Sequence, residues 1–245
     1  MTIRAHERVL VALDTPEPAR AQRLVRLLAG AVGGFKIGIE LFTSHGPRLV
    51  DEIRGSGATV FLDLKFHDIP NSVAGAAAAA ARAGVSLFTV HALGGPEMIR
   101  RAVESAAEAA SAAGVPAPLV LAVTVLTSHD DETLRRVGLA GPCSDAVLRL
   151  AALAREAGAG GVVCSALEVA AVRRTFPAGL LVVPGIRPDR GGGACDDDQS
   201  RVATPARAVS LGADRLVIGR PITHAADPLA AATAIVEEIR LGEPA

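Results

Sequence analysis

The chain has 245 residues and a formal net charge of -1, with both signs interspersed and no basic stretch that would bind nucleic acid or an anionic membrane. Half of the residues are hydrophobic, with six Phe and no Trp or Tyr, so a sizeable core must be aliphatic. Three cysteines without metal-type spacing suit a reducing compartment, and neither a signal peptide nor a bilayer-spanning run is evident. We therefore expect a soluble, cytoplasmic protein with no nucleic-acid or membrane partner.

Apolar runs and helical patterns alternate eight times along the chain. The runs, which we predict to be strands, lie at 8–14, 34–39, 60–65, 85–91, 119–126, 160–164, 180–185 and 214–219. Among the helices, we expect Gly46-Pro47 to break the second, and Ser128 to cap the one over 132–137. Continuous apolar strands that alternate with helices indicate a parallel sheet covered by helices. Eight such units favour an α/β fold, a single-domain (β/α)8 TIM barrel over residues 1–245, rather than an open doubly wound sheet.

The third predicted strand carries charges where a buried strand should have none. Asp63 and Lys65 are two residues apart and would share one strand face, while Asp68 lies in the turn before a helix that starts at Pro70. Burying such groups costs several kcal/mol per ion unless they are paired. The cluster indicates either a catalytic site or a structural ion pair at the end of the strand.

Polar residues also fall at or just past the ends of other predicted strands, where barrels of this type build their active sites. They are Asp14, Lys36, His91, Thr127, Arg187 and Arg220. Loops after the seventh and eighth strands commonly hold a phosphate, and here they contain Gly185-Ile186-Arg187-Pro188 and Gly219-Arg220-Pro221. We therefore predict a phosphate site there, closed by the loop between Arg190 and Val202. For His91 we expect a structural, hydrogen-bonding role.

Six segments resemble the orotidine 5'-phosphate decarboxylases, nearly from end to end of the chain. They are Val11–Asp14, Phe35–Gly38, Asp63–Asn71, Val123–Ser128, Pro184–Pro188 and Ile218–Ile222. The Asp-x-Lys-x-x-Asp pattern at 63–68 also occurs in metal-dependent relatives that act on sugar phosphates, but in those an acid that binds magnesium usually replaces Lys36. The resemblance implies decarboxylation of orotidine 5'-phosphate to UMP, with no cofactor and no metal.

The resemblance further implies an alternating tetrad of Lys36, Asp63, Lys65 and Asp68. Lys65 would donate the proton to C6 of the pyrimidine. Asp68 would reach into the site of the partner subunit, so the protein would be a homodimer.

The remaining substrate contacts are implied in the same way. The substrate-binding set is Asp14, Lys36, Ile69, Ser72, Thr127, Arg187, Gln199, Gly219 and Arg220. Asp14 and Lys36 would bind ribose hydroxyls, Thr127 would lie beside the pyrimidine, and Gln199 and Arg220 would hold the phosphate. Ser72 departs from the family, which often has Thr there, although the hydroxyl is kept.

The chemistry that these residues suit is electrostatic. Loss of CO2 from C6 leaves a carbanion that no adjacent π-system delocalises, and no pyridoxal, thiamine or metal pattern is evident; Asp196–Asp198 is interpreted as a solvated loop. A fixed ammonium can stabilise the developing charge and then protonate it. Two alternatives stay open at this point. One is a magnesium-dependent sugar-phosphate lyase, which EDTA would silence, and the other is a barrel that binds UMP without catalysis.

Overall fold

The structure is a computed structural model that describes residues 3–188 and 203–242. Eight parallel strands close into a barrel in chain order, with β8 paired to β1. The strands are β1 (Val9–Ala12), β2 (Gly34–Gly38), β3 (Thr59–Phe66), β4 (Leu87–His91), β5 (Leu119–Val123), β6 (Gly161–Val163), β7 (Leu180–Val183) and β8 (Arg215–Ile218). The predicted closed (β/α)8 barrel is confirmed, while its extent as one domain over residues 1–245 stays a prediction.

Helices connect the strands and cover the outside of the barrel. They are α1 (Pro18–Leu28), α2 (Ile39–His45), α3 (Arg48–Arg54), α4 (Pro70–Arg82), α5 (Gly95–Ala113), α6 (Asp131–Arg136), α7 (Cys143–Glu156), α8 (Val169–Thr175), α9 (Pro205–Ser210), α10 (Arg220–Thr223) and α11 (Pro228–Gly242), with 3-10 turns at Ala5–Arg8 and Ala92–Gly94. Several begin at a proline, whose missing N–H is not needed in a first helical turn. The predicted break at Gly46-Pro47 is confirmed, because Gly46 has a φ of 68° and ends α2 just before α3 begins. No helix in the described segments is long and apolar enough to cross a membrane.

The cap of α6 differs from the prediction. Asp130, and not Ser128, is the N-cap residue, and its carboxylate accepts a hydrogen bond from the N–H of Thr133 at 2.8 Å. An N-cap side chain bonds the N–H two or three residues later, and α6 begins at Asp131, so Ser128 lies too early in the chain to serve. The predicted fifth strand is also shorter, since it ends at Val123.

Inside the barrel the side chains form two layers of different chemistry. The lower layer is an apolar cluster of Leu10, Phe61, Leu87, Leu121 and Val182. Because every second residue of a strand faces the same side, the next inward positions carry Ala12, Asp63, Thr89, Val123 and Pro184. Outward residues such as Phe35 and Phe88 pack in the larger core between barrel and helices. The polar residues Asp63 and Thr89 therefore lie directly above an apolar layer.

Candidate active site

The upper layer opens into a cavity of about 380 Å³ at the carboxyl ends of the strands, where TIM barrels place their active sites. Its lining residues are Ala12, Asp14, Lys36, Phe61, Asp63, Lys65, Val123, Val125, Leu126, Thr127, Val163, Cys164, Pro184, Gly185, Arg187, Val217, Gly219, Arg220, Thr223 and His224. Two lysines and two arginines in this lining face two carboxylates. The described part of the cavity therefore carries an excess of positive charge, which suits an anionic ligand.

Three of the four predicted tetrad residues form a line of alternating charge in this cavity. Lys65 Nζ lies 2.9 Å from each carboxylate oxygen of Asp63. Lys36 Nζ lies 4.0 Å from Asp63 Oδ2 and donates a hydrogen bond to Asp14 Oδ1 at 2.7 Å. The Lys36 and Asp63 side chains are only 9% and 16% exposed, so solvent screens this array less than it would a surface pair. The carboxylates offset the cost of removing the ammonium groups from water.

Lys65 reaches Asp63 through a bulge and not through the regular strand alternation that the sequence predicted. Its φ of 51° is positive, which is true of no other non-glycine residue in the described segments. The register of β3 against β4 shifts between Leu62 and Phe66. A left-handed backbone costs a non-glycine residue about 1–2 kcal/mol, and such conformations cluster at active sites. The bulge places the Lys65 ammonium at the cavity.

Thr89 contacts both the backbone of Lys65 and the carboxylate of Asp63, and it was not among the residues predicted from the sequence. It is fully buried on β4. Its hydroxyl accepts a hydrogen bond from the backbone N–H of Lys65 at 2.8 Å and donates one to Asp63 Oδ1 at 3.0 Å. The one signal in the sequence was positional, since Thr89 stands two residues before His91 on the strand after the charged one.

Gly38 makes room for the pair formed by Asp14 and Lys36. A Cβ at this position would lie 2.9 Å from both Asp14 Oδ1 and Lys36 Nζ, closer than Cβ atoms come to other heavy atoms. A side chain here would displace the end of Asp14 or Lys36, so the glycine at the end of β2 leaves the pair its space, although the sequence showed it only as the last residue of a matching segment.

His91 has the structural role that the sequence predicted. Its Nδ1 accepts a hydrogen bond from the N–H of Leu93, and its ring stacks on His67 with the centroids 5.4 Å apart. Burial, with smaller contributions from His67 and Lys65, lowers the pKa of His91 to about 4, so the ring is neutral at neutral pH. No three His, Cys, Asp or Glu side chains within residues 3–188 and 203–242 could hold a metal ion together.

The residues predicted to hold the phosphate lie on one side of the cavity. Arg187 follows β7, while Gly219 and Arg220 follow β8, and all three line the cavity with the predicted pyrimidine contact Thr127. Thr223 and His224 join them through α10, and neither was singled out in the sequence. Gln199 and the rest of the predicted closing loop fall outside the described residues.

Asp68, Ile69 and Ser72 are not among the residues that line the cavity. They lie at the exposed start of α4, where Asp68 Oδ1 accepts a hydrogen bond from the N–H of Ile69 at 2.6 Å. Among the described residues, Asp68 makes no ion pair with a lysine of its own chain. One chain thus brings together Asp14, Lys36, Asp63 and Lys65 but leaves Asp68 on its surface.

Residues 7–235 match the family described as "Orotidine 5'-phosphate decarboxylase / HUMPS family". The orotidine 5'-phosphate decarboxylase of Halorhodospira halophila is 55% identical over 240 residues, which cover 98% of this chain and 98% of the relative. The orotidine 5'-phosphate decarboxylase of Moorella thermoacetica is 50% identical over 242 residues, which cover 97% of this chain and 94% of the relative. Among solved structures, orotidine 5'-phosphate decarboxylase from Lactobacillus acidophilus has a TM-score of 0.83 and 40% identity, covering 94% of this chain and 98% of that one.

Proposed function

The chain belongs to the orotidine 5'-phosphate decarboxylase / HUMPS family, and we propose that it decarboxylates orotidine 5'-phosphate to UMP. The observation that carries this proposal is the line of Lys36, Asp63 and Lys65 in the cavity at the strand ends. Fixed charges of alternating sign in a partly dehydrated site are what a reaction through an unstabilised carbanion requires. The reaction is the last step of the de novo synthesis of UMP.

Substrate binding would use the positive side of the cavity. The phosphate would be bound by Arg220 and Arg187, whose planar guanidinium groups match phosphate oxygens, and by the backbone at Gly219. Asp14 and Lys36 would hold the ribose hydroxyls, and Thr127 would contact the pyrimidine. The predicted phosphate contact Gln199 completes this part of the proposal. Binding energy from the phosphate, remote from the reacting carbon, can orient the pyrimidine over Lys65.

The chemical step would be a direct exchange of CO2 for a proton at C6. The bond between C6 and the carboxylate carbon breaks, CO2 leaves, and the electron pair stays on C6. The Lys65 ammonium stabilises this pair and then donates its proton to C6, after which water reprotonates the amine. Asp63 would hold the ammonium in place through both carboxylate oxygens, which lie 2.9 Å from Nζ. No cofactor takes part in this scheme.

We further propose that the protein acts as a homodimer in which the start of α4 reaches the cavity of the partner subunit. Asp68 and Ser72 are exposed there, and Ile69 is 67% exposed although its side chain is large and apolar. A second copy of the chain would cover this surface and add Asp68 to the partner's line of charges. A cytoplasmic location is part of the proposal, because the buried Cys143 and Cys164 are thiols, as expected in a reducing compartment.

The proposed function is tested by incubating purified, EDTA-treated protein with orotidine 5'-phosphate. We expect the substrate absorbance to fall as CO2 is released. Loss of activity on chelation, restored by Mg²⁺, would instead indicate the magnesium-dependent lyase. Tight binding of UMP without any release of CO2 would indicate a binding protein.

The role of Lys65 is tested by Lys65→Ala. We expect kcat to fall by at least about 10³-fold, since a positioned general acid and the charge it carries are both lost. UMP should still bind and the thermal midpoint should stay high, which shows that the cavity remains folded. Turnover near the level of the unchanged protein would refute the proton-donor role.

A further inference from the structure

We propose that Thr89 is a positioning residue for the proton donor, an inference that rests on the proposed role of Lys65. Its hydroxyl fixes the backbone of Lys65 and the carboxylate that holds the Lys65 ammonium. Thr89 is not among the residues that line the cavity, so it acts through Lys65 and Asp63 and not on the substrate.

The two strands β3 and β4 are unequally paired around Thr89. Leu62 pairs with Phe88 and Phe66 pairs with Val90, so three residues of β3 lie opposite Thr89 alone. The backbone ladder cannot serve all three, and the N–H of Lys65 bonds the Thr89 hydroxyl oxygen at 2.8 Å. The side chain of Thr89 thus replaces a backbone acceptor at the bulge.

The hydrogen bond to Thr89 holds Lys65 in an uncommon backbone conformation. Lys65 has a φ of 51°, which an ordinary residue keeps only when its surroundings determine it. Thr89 is fully buried, so without its hydroxyl the N–H of Lys65 would lose its acceptor. We expect Lys65 then to move toward a commoner backbone conformation, and its ammonium to move with it.

Thr89 also contacts Asp63, the carboxylate that holds the Lys65 ammonium. The same hydroxyl donates to Asp63 Oδ1 at 3.0 Å, and this oxygen also lies 2.9 Å from Lys65 Nζ. One hydroxyl is therefore bonded to both ends of the Lys65 arrangement, the backbone N–H and the partner of the ammonium. Lys36 is held separately by Asp14, so the effect of Thr89 should be specific to Lys65.

The kinetic test compares Thr89→Val and Thr89→Ala, which lack the hydroxyl, with Thr89→Ser, which keeps it. We expect both hydroxyl-free variants to lower kcat by about 10- to 100-fold, the range for losing hydrogen bonds in a charged network. KM and the Kd of UMP should stay within about threefold, because the substrate contacts are unchanged. Thr89→Ser should keep kcat within about threefold of the unchanged protein.

Thr124→Val is the matched control. Thr124 is also fully buried, and its hydroxyl donates to the backbone carbonyl of Val163 at 3.0 Å and not to a charged side chain. This variant should lower the thermal midpoint as Thr89→Val does while leaving kcat nearly unchanged.

A spectroscopic test uses the fact that Lys36 and Lys65 are the chain's two lysines. Labelling lysine with ¹³C at Cε would give one NMR signal from each, assigned with Lys36→Arg and Lys65→Arg. In Thr89→Val we expect the Lys65 signal to shift or broaden while the Lys36 signal stays in place. In Thr124→Val neither signal should move.

The outcomes separate this inference from the proposed function. If Lys65→Ala keeps its activity, the proton-donor role fails, and the inference fails with it. If Lys65→Ala is inactive but Thr89→Val keeps normal kcat and an unmoved Lys65 signal, only the positioning role is overturned. Equal losses of kcat in Thr89→Val and Thr124→Val would overturn it as well. The positioning role would also be overturned if Thr89→Ser folds while neither hydroxyl-free variant does. The Thr89 hydroxyl would then serve stability alone.

Discussion

At the scale of single residues, lysine and arginine have separate positions in this cavity. The chain's two lysines, Lys36 and Lys65, both lie in the line of charges, whereas Arg187 and Arg220 lie at the ends of β7 and β8. An ammonium is a compact charge that can give up a proton, whereas a guanidinium stays charged and binds two oxygens of a phosphate at once. The separate positions of the lysines and arginines support the proposal that one region of the cavity transfers a proton and another binds the remote phosphate.

Arg220→Ala tests that division. We expect KM for orotidine 5'-phosphate to rise by about 10- to 100-fold, because a charge-assisted hydrogen bond to phosphate is lost. The same variant should turn over orotidine, which lacks the phosphate, as slowly as the unchanged protein does. Steady-state kinetics with both substrates checks this. An unchanged KM for the phosphorylated substrate would place the phosphate elsewhere.

Arg207→Ala serves as the control for that experiment. Arg207 is an exposed arginine in α9 and does not line the cavity. Removing this charge changes the net charge of the protein by the same amount, so a similar rise of KM in both variants would indicate a long-range effect of charge and not a contact.

At the scale of elements, the strand ends and the helix caps are where the structure departs from simple periodicity. The bulge in β3 turns Lys65 toward the cavity without interrupting the barrel, because β3 remains paired with β2 through Asp63 and with β4 at Phe66. The segment between β5 and α7 contains its own short helix, α6, which Asp130 caps. Asp131 then accepts a hydrogen bond from the N–H of Cys143 at the start of α7.

Asp130→Ala should lower the free energy of unfolding by about 1 kcal/mol, the usual effect of removing an N-cap side chain. Ser128→Ala is the matched control, and it should leave stability within about 0.5 kcal/mol because an exposed residue without a cap role is lost. Urea unfolding of both variants measures this, provided that the free energy of unfolding falls with urea concentration at the same slope in each. A larger effect for Ser128→Ala than for Asp130→Ala would contradict the assigned cap.

At the scale of the whole molecule, the cavity of one chain lacks the predicted fourth member of its line of charges. Asp68 lies on the exposed start of α4 beside Ile69. In a symmetric dimer each chain makes the same contacts with the other, so the start of α4 of each chain would reach the cavity of its partner. The proposed homodimer therefore predicts two active sites, each built from both chains.

Mixing two inactive variants tests that arrangement. Lys65→Ala and Asp68→Ala each remove one group, and in a mixed dimer one site carries both changes while the other carries neither. Random exchange of subunits should therefore restore about a quarter of the full activity, as the statistics of dimer formation require. Refolding an equimolar mixture and measuring kcat checks this.

Lys65→Ala mixed with Lys36→Ala is the control for that experiment. Both lysines line the same cavity of one chain, so no site in the mixed dimer is intact, and activity should not return. Equal behaviour of the two mixtures would place Asp68 in the site of its own chain.

The alternation of apolar runs and helices is local information, and by itself it determined the barrel and put Asp14, Lys36, Asp63 and Lys65 at the strand ends. Closing a parallel sheet then brings those ends to one cavity, which is why the line of charges could be expected before the structure was known. The family resemblance added the roles of these residues, because periodicity says nothing about chemistry.

Only the tertiary structure decided how Lys65 is held, which side chains occupy the space beside Gly38, and which residue caps α6. Thr89 has no charge and belongs to no motif, and its importance arises because the bulge in β3 leaves the N–H of Lys65 opposite its hydroxyl. Gly38 matters because the Asp14–Lys36 pair fills the space where its Cβ would be. Such contacts join residues that are distant in the chain, and they depend on shifts of one or two residues in strand register that a local pattern does not contain.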